Sequence, residues 1–236
     1  MLSTTQQQPA TIGVIVAMDK EFAQLRQVLT GAREETSGPH SFLVGRVGEK
    51  TVVATQCGIG KVNSAIGAQA LITKYSPALV VSTGVAGGVD TALDVRDVVV
   101  SRACCYHDAY CGSECAKGQI LGMPAQFESP AALVDKALAL DCGVRIRAGL
   151  TVSGEWFVDS REKMQAIVAD FPTAMAVDME SASIAQTCHV YGVEFLSFRI
   201  ISDVPLKDHK AQMYFDFWER LAEGSFEVTR AFLEAV

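Results

Sequence analysis

The chain is poor in the features that would assign it to several large protein classes. No stretch of about 18 apolar residues runs without a charge, Gly or Pro, so a membrane-spanning helix is not expected. The first nine residues, Met1 to Pro9, are polar and lack the basic-then-apolar order of a secretory leader. Basic residues are in deficit, with 20 Lys and Arg against 27 Asp and Glu and a net charge of -7, which argues against a polyanion partner, since a nucleic acid needs clustered Lys and Arg to displace counterions. The dinucleotide pattern G-x-G-x-x-G, the phosphate-binding Walker pattern and the G-x-S-x-G nucleophile turn are all absent. Paired C-x₂-C knuckles are missing too. Seven cysteines, an odd number with no leader before them, point to reduced thiols in the cytoplasm rather than a disulfide framework.

What is present is core material. At 236 residues and 49% hydrophobic the chain suffices for one large α/β domain, read here as residues 11–236 behind a flexible tail of residues 1–10. It holds no linker, internal repeat or low-complexity segment. Short β-branched runs predict strands over Ile12 to Ala17, Phe42 to Val47, Thr51 to Thr55, Ala78 to Thr83, Asp97 to Ala103, Arg147 to Val152, Ala174 to Val177 and Glu194 to Ile201. Helical spacing predicts helices over Val62 to Tyr75, Pro130 to Leu140, Arg161 to Asp170, Met179 to Tyr191 and Tyr214 to Ala235. Gly48-Glu49 marks a tight hairpin, so the sheet is mixed. Runs such as Ala78-Leu79-Val80-Val81 are apolar without alternation, as a strand covered on both faces requires. The expected architecture is a three-layer α/β/α sandwich around a central, mixed, twisted sheet.

In such a sheet the ligand crevice lies beyond the carboxyl ends of the strands. Four strand ends carry chemistry there: Ala17-Met18-Asp19-Lys20-Glu21, Ser82-Thr83-Gly84-Val85-Ala86-Gly87-Gly88, Ala176-Val177-Asp178-Met179-Glu180 and Ile201-Ser202-Asp203. Glu21 and Glu180 taken singly are first-turn carboxylates favoured by a helix dipole. Placed at one edge with Asp203, and with Arg199 in the last strand, they suit acid/base work, because a carboxyl near apolar walls keeps its proton while one paired with Arg stays ionised. Gly84, Gly87 and Gly88 read either as a close backbone approach to a ligand or as a tight turn after the strand. Gly58-Ile59-Gly60-Lys61 has the same two readings. Trp156 and Phe157 read as a stacking surface for a planar base or as core. His107, beside Asp108, reads as a hydrogen-bonded structural residue rather than a base. Cys104, Cys105, His107, Cys111 and Cys115 read as ordinary thiols in and near a loop rather than a metal site, while Cys57, Cys142 and Cys188 read as packing residues.

These segments resemble the nucleoside phosphorylase/hydrolase superfamily, most closely the bacterial 5′-methylthioadenosine/S-adenosylhomocysteine nucleosidases. The likeness runs through Ile12-Gly13-Val14-Ile15, Ala17-Met18, Glu21, Gly58-Ile59-Gly60-Lys61-Val62, Thr83 to Gly88, Tyr106-His107-Asp108, Val152-Ser153-Gly154, Ala176 to Glu180 and Arg199 to Asp203. The resemblance implies hydrolysis of the N-glycosidic bond of an adenine thionucleoside. Asp203 would protonate the leaving adenine at N7, with Ser202 holding its carboxyl group, and Glu21 would activate water with help from Arg199. Glu180 would bind the ribose hydroxyls, ionised at a helix N-terminus, and Met179 would lie against the sugar. Phe157 would stack on adenine, the Val158 backbone would read its edge, and Ile59, Val85, Ala86 and Gly87 would complete the substrate walls. Phe215 would be an aromatic lid over the 5′ group.

No cofactor and, from the unpaired Cys and His spacing, no metal are expected; the likeness implies a homodimer, and the apolar loop near Met123-Pro124 would suit its seam. Acids after the first strand, where a phosphorylase seats phosphate, favour water as the nucleophile. Asp178 stands where many of these nucleosidases have Glu, a change expected to be mild. Ala109 to Lys117 also departs from the pattern and leaves the 5′ preference open. A purine nucleoside hydrolase or phosphorylase with another 5′ preference, and a nucleoside-binding protein on this fold, are the alternatives.

Overall fold

Residues that alternate along the strands decide the layering. In the first strand, β1 (Ile12–Val16), Ile12, Val14 and Val16 enter one buried cluster and Ile15 enters another on the opposite face. The computed structural model describes residues 11–207 and 226–236. In chain order β1 is followed by α1 (Asp19–Val28), β2 (Thr30–Ser37), β3 (His40–Val47), β4 (Lys50–Gln56), α2 (Lys61–Tyr75), β5 (Leu79–Gly88), β6 (Val98–Tyr106) and β7 (Phe127–Glu128). The chain continues with α3 (Ala131–Leu138), β8 (Ile146–Ser153), α4 (Arg161–Asp170), β9 (Ala174–Asp178), α5 (Ser181–Tyr191), β10 (Glu194–Asp203) and α6 (Glu227–Ala235). Leu25 of α1, Val134 and Ala137 of α3, and Phe232 and Leu233 of α6 cover one face. Ala68, Leu71 and Ile72 of α2, with Ile184, Ala185 and Cys188 of α5, cover the other. The expected three layers and mixed sheet are both present.

The sheet runs β2-β3-β4-β1-β5-β9-β8-β6-β10, and β10 pairs back onto β5. Half of it therefore closes into a five-strand ring of β5, β9, β8, β6 and β10, a closure that the strand pattern alone did not predict. β1 is parallel to β4 and to β5, and β5 is parallel to β10, whereas β9 runs antiparallel to β5. That antiparallel contact involves only Gly87 with Val177 and Gly88 with Ala176, so the carboxyl ends of β5 and β9 still meet.

Two differences from expectation have local causes. β2 is an edge strand of polar, mostly exposed residues with no apolar alternation to reveal it. The hairpin at Gly48-Glu49 is as expected, Gly48 adopting φ +56° between the paired Val47 and Lys50. β5 does not stop at Thr83 before a turn but continues to Gly88. None of Gly84, Gly87 or Gly88 has a positive φ, so they serve close approach rather than chain reversal. A Cβ at Gly88 would meet Ile201 Cγ2 at 3.0 Å and Val204 Cγ2 at 3.1 Å, which shows how tightly the end of β10 lies on β5. Of the helix expected over Tyr214 to Ala235, Glu227–Ala235 is α6, and the part before residue 226 lies outside the described residues. So do the tail and Phe215.

Candidate active site

The ends of β1, β5, β9 and β10 open into one cleft of about 670 Å³ including its mouth, a size suited to a small-molecule ligand. Its acidic lining is Glu21, Asp178, Glu180 and Asp203, and no Lys or Arg lies among the described lining residues. Ile59, Val85, Ala86, Gly87, Phe157, Val158, Met179 and Ser202 also face it, as expected, together with Ala17, Met18, Trp156 and Val177. Arg199 lies behind the wall with 2% of its surface exposed.

Glu21, in the first turn of α1, curls back onto the helix start. Its Oε2 accepts the Ala17 and Met18 amides, each at 3.0 Å, and its Oε1 accepts the Val85 amide at 3.1 Å. Burial nonetheless pushes its carboxyl above the usual range, against the opposing pull of Arg199 and these three amides. The missing side chain of Gly84 makes the room: a Cβ there would stand 2.6 Å from Glu21 Oε1 and 2.7 Å from Arg199 Nη1.

Asp203 is aimed by a bulge. The β10–β5 register slips between Ile201 and Asp203, so Ser202 falls out of the ladder and Asp203 comes opposite Gly87. The Ser202 hydroxyl donates to Asp203 Oδ1 at 2.7 Å and lies 3.2 Å from the Ala86 carbonyl. The expected Ser202–Asp203 contact is therefore in place.

Glu180 precedes α5, and its Oε1 accepts the amide of Gly60, which starts α2 with φ +95°. The dipole-favoured, ionised state expected for it is not what its surroundings favour. Burial, with the Asp178 charge next in size, pushes its carboxyl up to about 7, outweighing Arg199 and the Gly60 amide. Arg199, expected beside Glu21, makes its direct ion pair with Asp178, Nε to Oδ2 at 2.7 Å. The Asp178 change is thus less peripheral than the sequence implied.

Beneath the cleft lies a buried hydroxyl network that sequence reasoning missed. Ser153 and Ser181 donate to Asp178, Ser82 accepts from Arg199 at 2.7 Å, and Ser181 bonds Ser197 at 2.8 Å. Serines inside otherwise apolar strands were the available signal. A second missed feature joins three loops: Lys61 Nζ meets both Asp108 oxygens at 2.9 Å, Asp108 accepts the Glu155 amide at 2.9 Å, and Glu155 accepts the Lys61 amide at 2.6 Å. This ring fixes Gly58-Ile59-Gly60 against the segment that carries Trp156 and Phe157.

Trp156 and Phe157 are 47% and 56% exposed at the cleft, so they are not core residues. His107 is buried beside Trp156, with ring centroids 5.3 Å apart. Contrary to the hydrogen-bonded role expected, neither of its ring nitrogens has a partner among the described residues. Burial lowers its proton affinity, although Asp108 and Asp178 pull the other way. Cys104 and Cys105 pack into two different cores, one under α2 and α5 and one under α4. Cys188 is buried as expected, whereas Cys57 is half-buried and its thiol contacts the Val16 and Gly58 carbonyls.

A family model described as the phosphorylase superfamily matches residues 11–234. The chain is 40% identical over 226 residues to a 5′-methylthioadenosine/S-adenosylhomocysteine nucleosidase of Staphylococcus aureus, covering 93% of this chain and 97% of that one. It is also similar to the crystal structure of such a nucleosidase from Colwellia psychrerythraea in complex with adenine, with a TM-score of 0.88, 33% identity, and 96% and 95% of the two chains covered. The Neisseria meningitidis nucleosidase in complex with methylthio-immucillin-A gives a TM-score of 0.88 at 31% identity, covering 96% of this chain and 100% of that one.

Proposed function

The chain belongs to the phosphorylase superfamily, and from that premise we infer that it is an N-glycosyl hydrolase. It cleaves 5′-methylthioadenosine and S-adenosylhomocysteine to adenine and a 5-thioribose product. The observation that carries water rather than phosphate as the nucleophile is the cleft itself: four carboxyl groups line it, no Lys or Arg is among its described lining residues, and Arg199 is buried against Asp178. A phosphate dianion there would find no Lys or Arg among the described lining residues to neutralise it and would compete with the Glu21 carboxylate in a low dielectric.

The roles are assigned as the family likeness implies them, and each group's position in the cleft supports the assignment. Cleavage passes through an oxocarbenium-like sugar and a departing purine, so the leaving group needs a proton and the sugar needs negative surroundings. Asp203, oriented by Ser202, gives the proton to adenine N7. Glu21, with Arg199 beside Gly84, takes a proton from the attacking water. Glu180 accepts the ribose hydroxyls in its ionised form, Met179 lies against the sugar, and Phe157 stacks on the base while the Val158 backbone reads its edge. Acid/base groups of this kind contribute about 10² to 10⁴-fold each.

The homodimer belongs to the same proposal and is supported by exposed apolar side chains: Val62 and Ile66, one turn apart on α2, with Tyr110 and Leu121. Sedimentation at micromolar concentration tests it, a monomer being the contrary result. A cytoplasmic place in methionine salvage suits seven free thiols. No described helix is long and apolar enough to cross a membrane. The activity is tested by chromatography of products from methylthioadenosine, S-adenosylhomocysteine, adenosine and inosine. Adenine from the two thionucleosides supports the proposal, and release confined to adenosine or inosine moves it to another 5′ preference.

A further inference from the structure

Three carboxylates surround one buried guanidinium, and they are unequally served. Asp178 forms an ion pair with Arg199, Nε to Oδ2 at 2.7 Å, while the Nε proton itself goes to the Ser181 hydroxyl oxygen at 3.0 Å, and Asp178 accepts from the Ser181 hydroxyl at 2.6 Å, from the Ser181 amide at 3.1 Å and from the Ser153 hydroxyl. Three hydrogen-bond donors and an adjacent guanidinium occupy most of the roughly four lone-pair sites of a carboxylate, leaving Asp178 little to offer a substrate hydroxyl. The Ser153 oxygen itself accepts the Ala182 amide at 2.9 Å, which ties the arrangement to the first turn of α5. Glu21 accepts three backbone amides. Glu180 accepts one, from Gly60.

Two negative charges in excess inside a buried site are costly, and the proton that relieves them settles on the carboxylate with the fewest donors. The groups that bear on Glu180 are Asp178 on β9, Arg199 on β10, Glu21 on α1 and the Gly60 amide before α2, with the Cys57 thiol also near. Arg199 alone is positive, and Asp178 holds it.

We propose that Asp178 is a positioning residue: by engaging Arg199 it leaves Glu180 as the carboxylate that carries a proton in the empty site and releases it to solvent when ribose hydroxyls bind. The direction in which Glu180 is pushed agrees with this geometry. The proposal rests on the function inferred above only in naming ribose as the ligand. Nucleoside affinity then falls as pH drops through the neutral range, because the proton and the hydroxyls compete for the same oxygens.

The experiment is an infrared pH titration of the protonated-carboxyl band of the whole protein, assigned by its loss in Glu180→Gln. It is paired with the pH profile of kcat/KM for methylthioadenosine. In the unaltered protein the band titrates near neutrality. In Asp178→Asn the midpoint falls by about one unit or more, as removal of a like charge requires, and the acid limb of kcat/KM falls with it. Asp178→Glu keeps the charge, holds the midpoint and restores most of the turnover that Asn loses. Asp178→Ser, which leaves room for water, replaces Asn if that variant does not fold. An unmoved midpoint in a folded, charge-removing variant overturns the proposal, whatever happens to turnover, and reduces Asp178 to a scaffold residue. A shifted midpoint in a protein that cleaves no thionucleoside upholds the Asp178 assignment and overturns the function instead.

Discussion

Gly84→Ala places one methyl group between the two side chains that are to activate water. Its backbone has no positive φ and lies within β5, so alanine suits the strand and the strain falls on the ends of the neighbouring side chains. The methyl would stand 2.6 Å from Glu21 Oε1, 3.1 Å from its Cδ and 2.7 Å from Arg199 Nη1, where ordinary contact begins at 3.4 Å. The carboxylate must therefore retreat by about 0.8 Å, the difference between those contacts. Its Oε1 is the oxygen that accepts the Val85 amide, so the retreat also stretches that 3.1 Å bond. Misplacing a catalytic group by about 1 Å costs on the order of 10²-fold in rate. The expected result is a kcat reduced by about that factor with KM little changed, because Phe157 and Glu180 are untouched. Gly13→Ala is the control, since its methyl meets Leu71 Cδ2 at 2.5 Å in the core: melting temperature should fall and kcat should not. Steady-state kinetics with thermal melts read both. A folded Gly84→Ala protein within about threefold of normal kcat, far short of the expected loss, would refute the idea that this gap sets the Glu21–Arg199 geometry.

Further outcomes follow from the same site. Asp203→Asn keeps a hydrogen-bond partner for Ser202 but has no proton to give, so kcat should drop by about 10² to 10⁴-fold with melting unchanged. Lys61→Met and Asp108→Asn each open the ring that joins three loops, and should raise KM while sparing kcat. The double variant should cost little more than either alone, whereas additive losses would show that the contacts do not act as a unit. The stability of the ligand-free protein should fall as pH rises from about 4.5 to about 7, because Glu180 holds its proton in the folded state over a range where the unfolded chain has lost it. Melting curves of Glu180→Gln should show a weaker fall across that window, and an identical slope would place the titrating group elsewhere.

Strand patterning and the order of the motifs carried most of this fold, because buried strands such as Leu79-Val80-Val81 and bulky helix faces leave apolar signatures. β2 was illegible since an exposed edge strand needs no apolar face. The run of glycines after Thr83 was ambiguous because glycine marks both turns and close contacts, and only the positions of Glu21 and Arg199 show that Gly84 is absent side-chain volume. At the site, residue types gave the carboxylates but not their partners. That Arg199 belongs to Asp178 depends on Ser153, Ser181 and Ser82, brought together from three other places in the chain. The proton affinity of Glu180 depends in turn on that pairing, and no local motif records it.

On this reading the cleft delivers water, not phosphate, to the anomeric carbon of an adenine thionucleoside. Methylthioadenosine incubated in ¹⁸O-labelled water, with and without phosphate, tests it most directly through mass spectrometry of the sugar product. Adenine should be released at the same rate in both, with one labelled oxygen at the anomeric carbon. Release that needs phosphate and yields an unlabelled sugar 1-phosphate would contradict it.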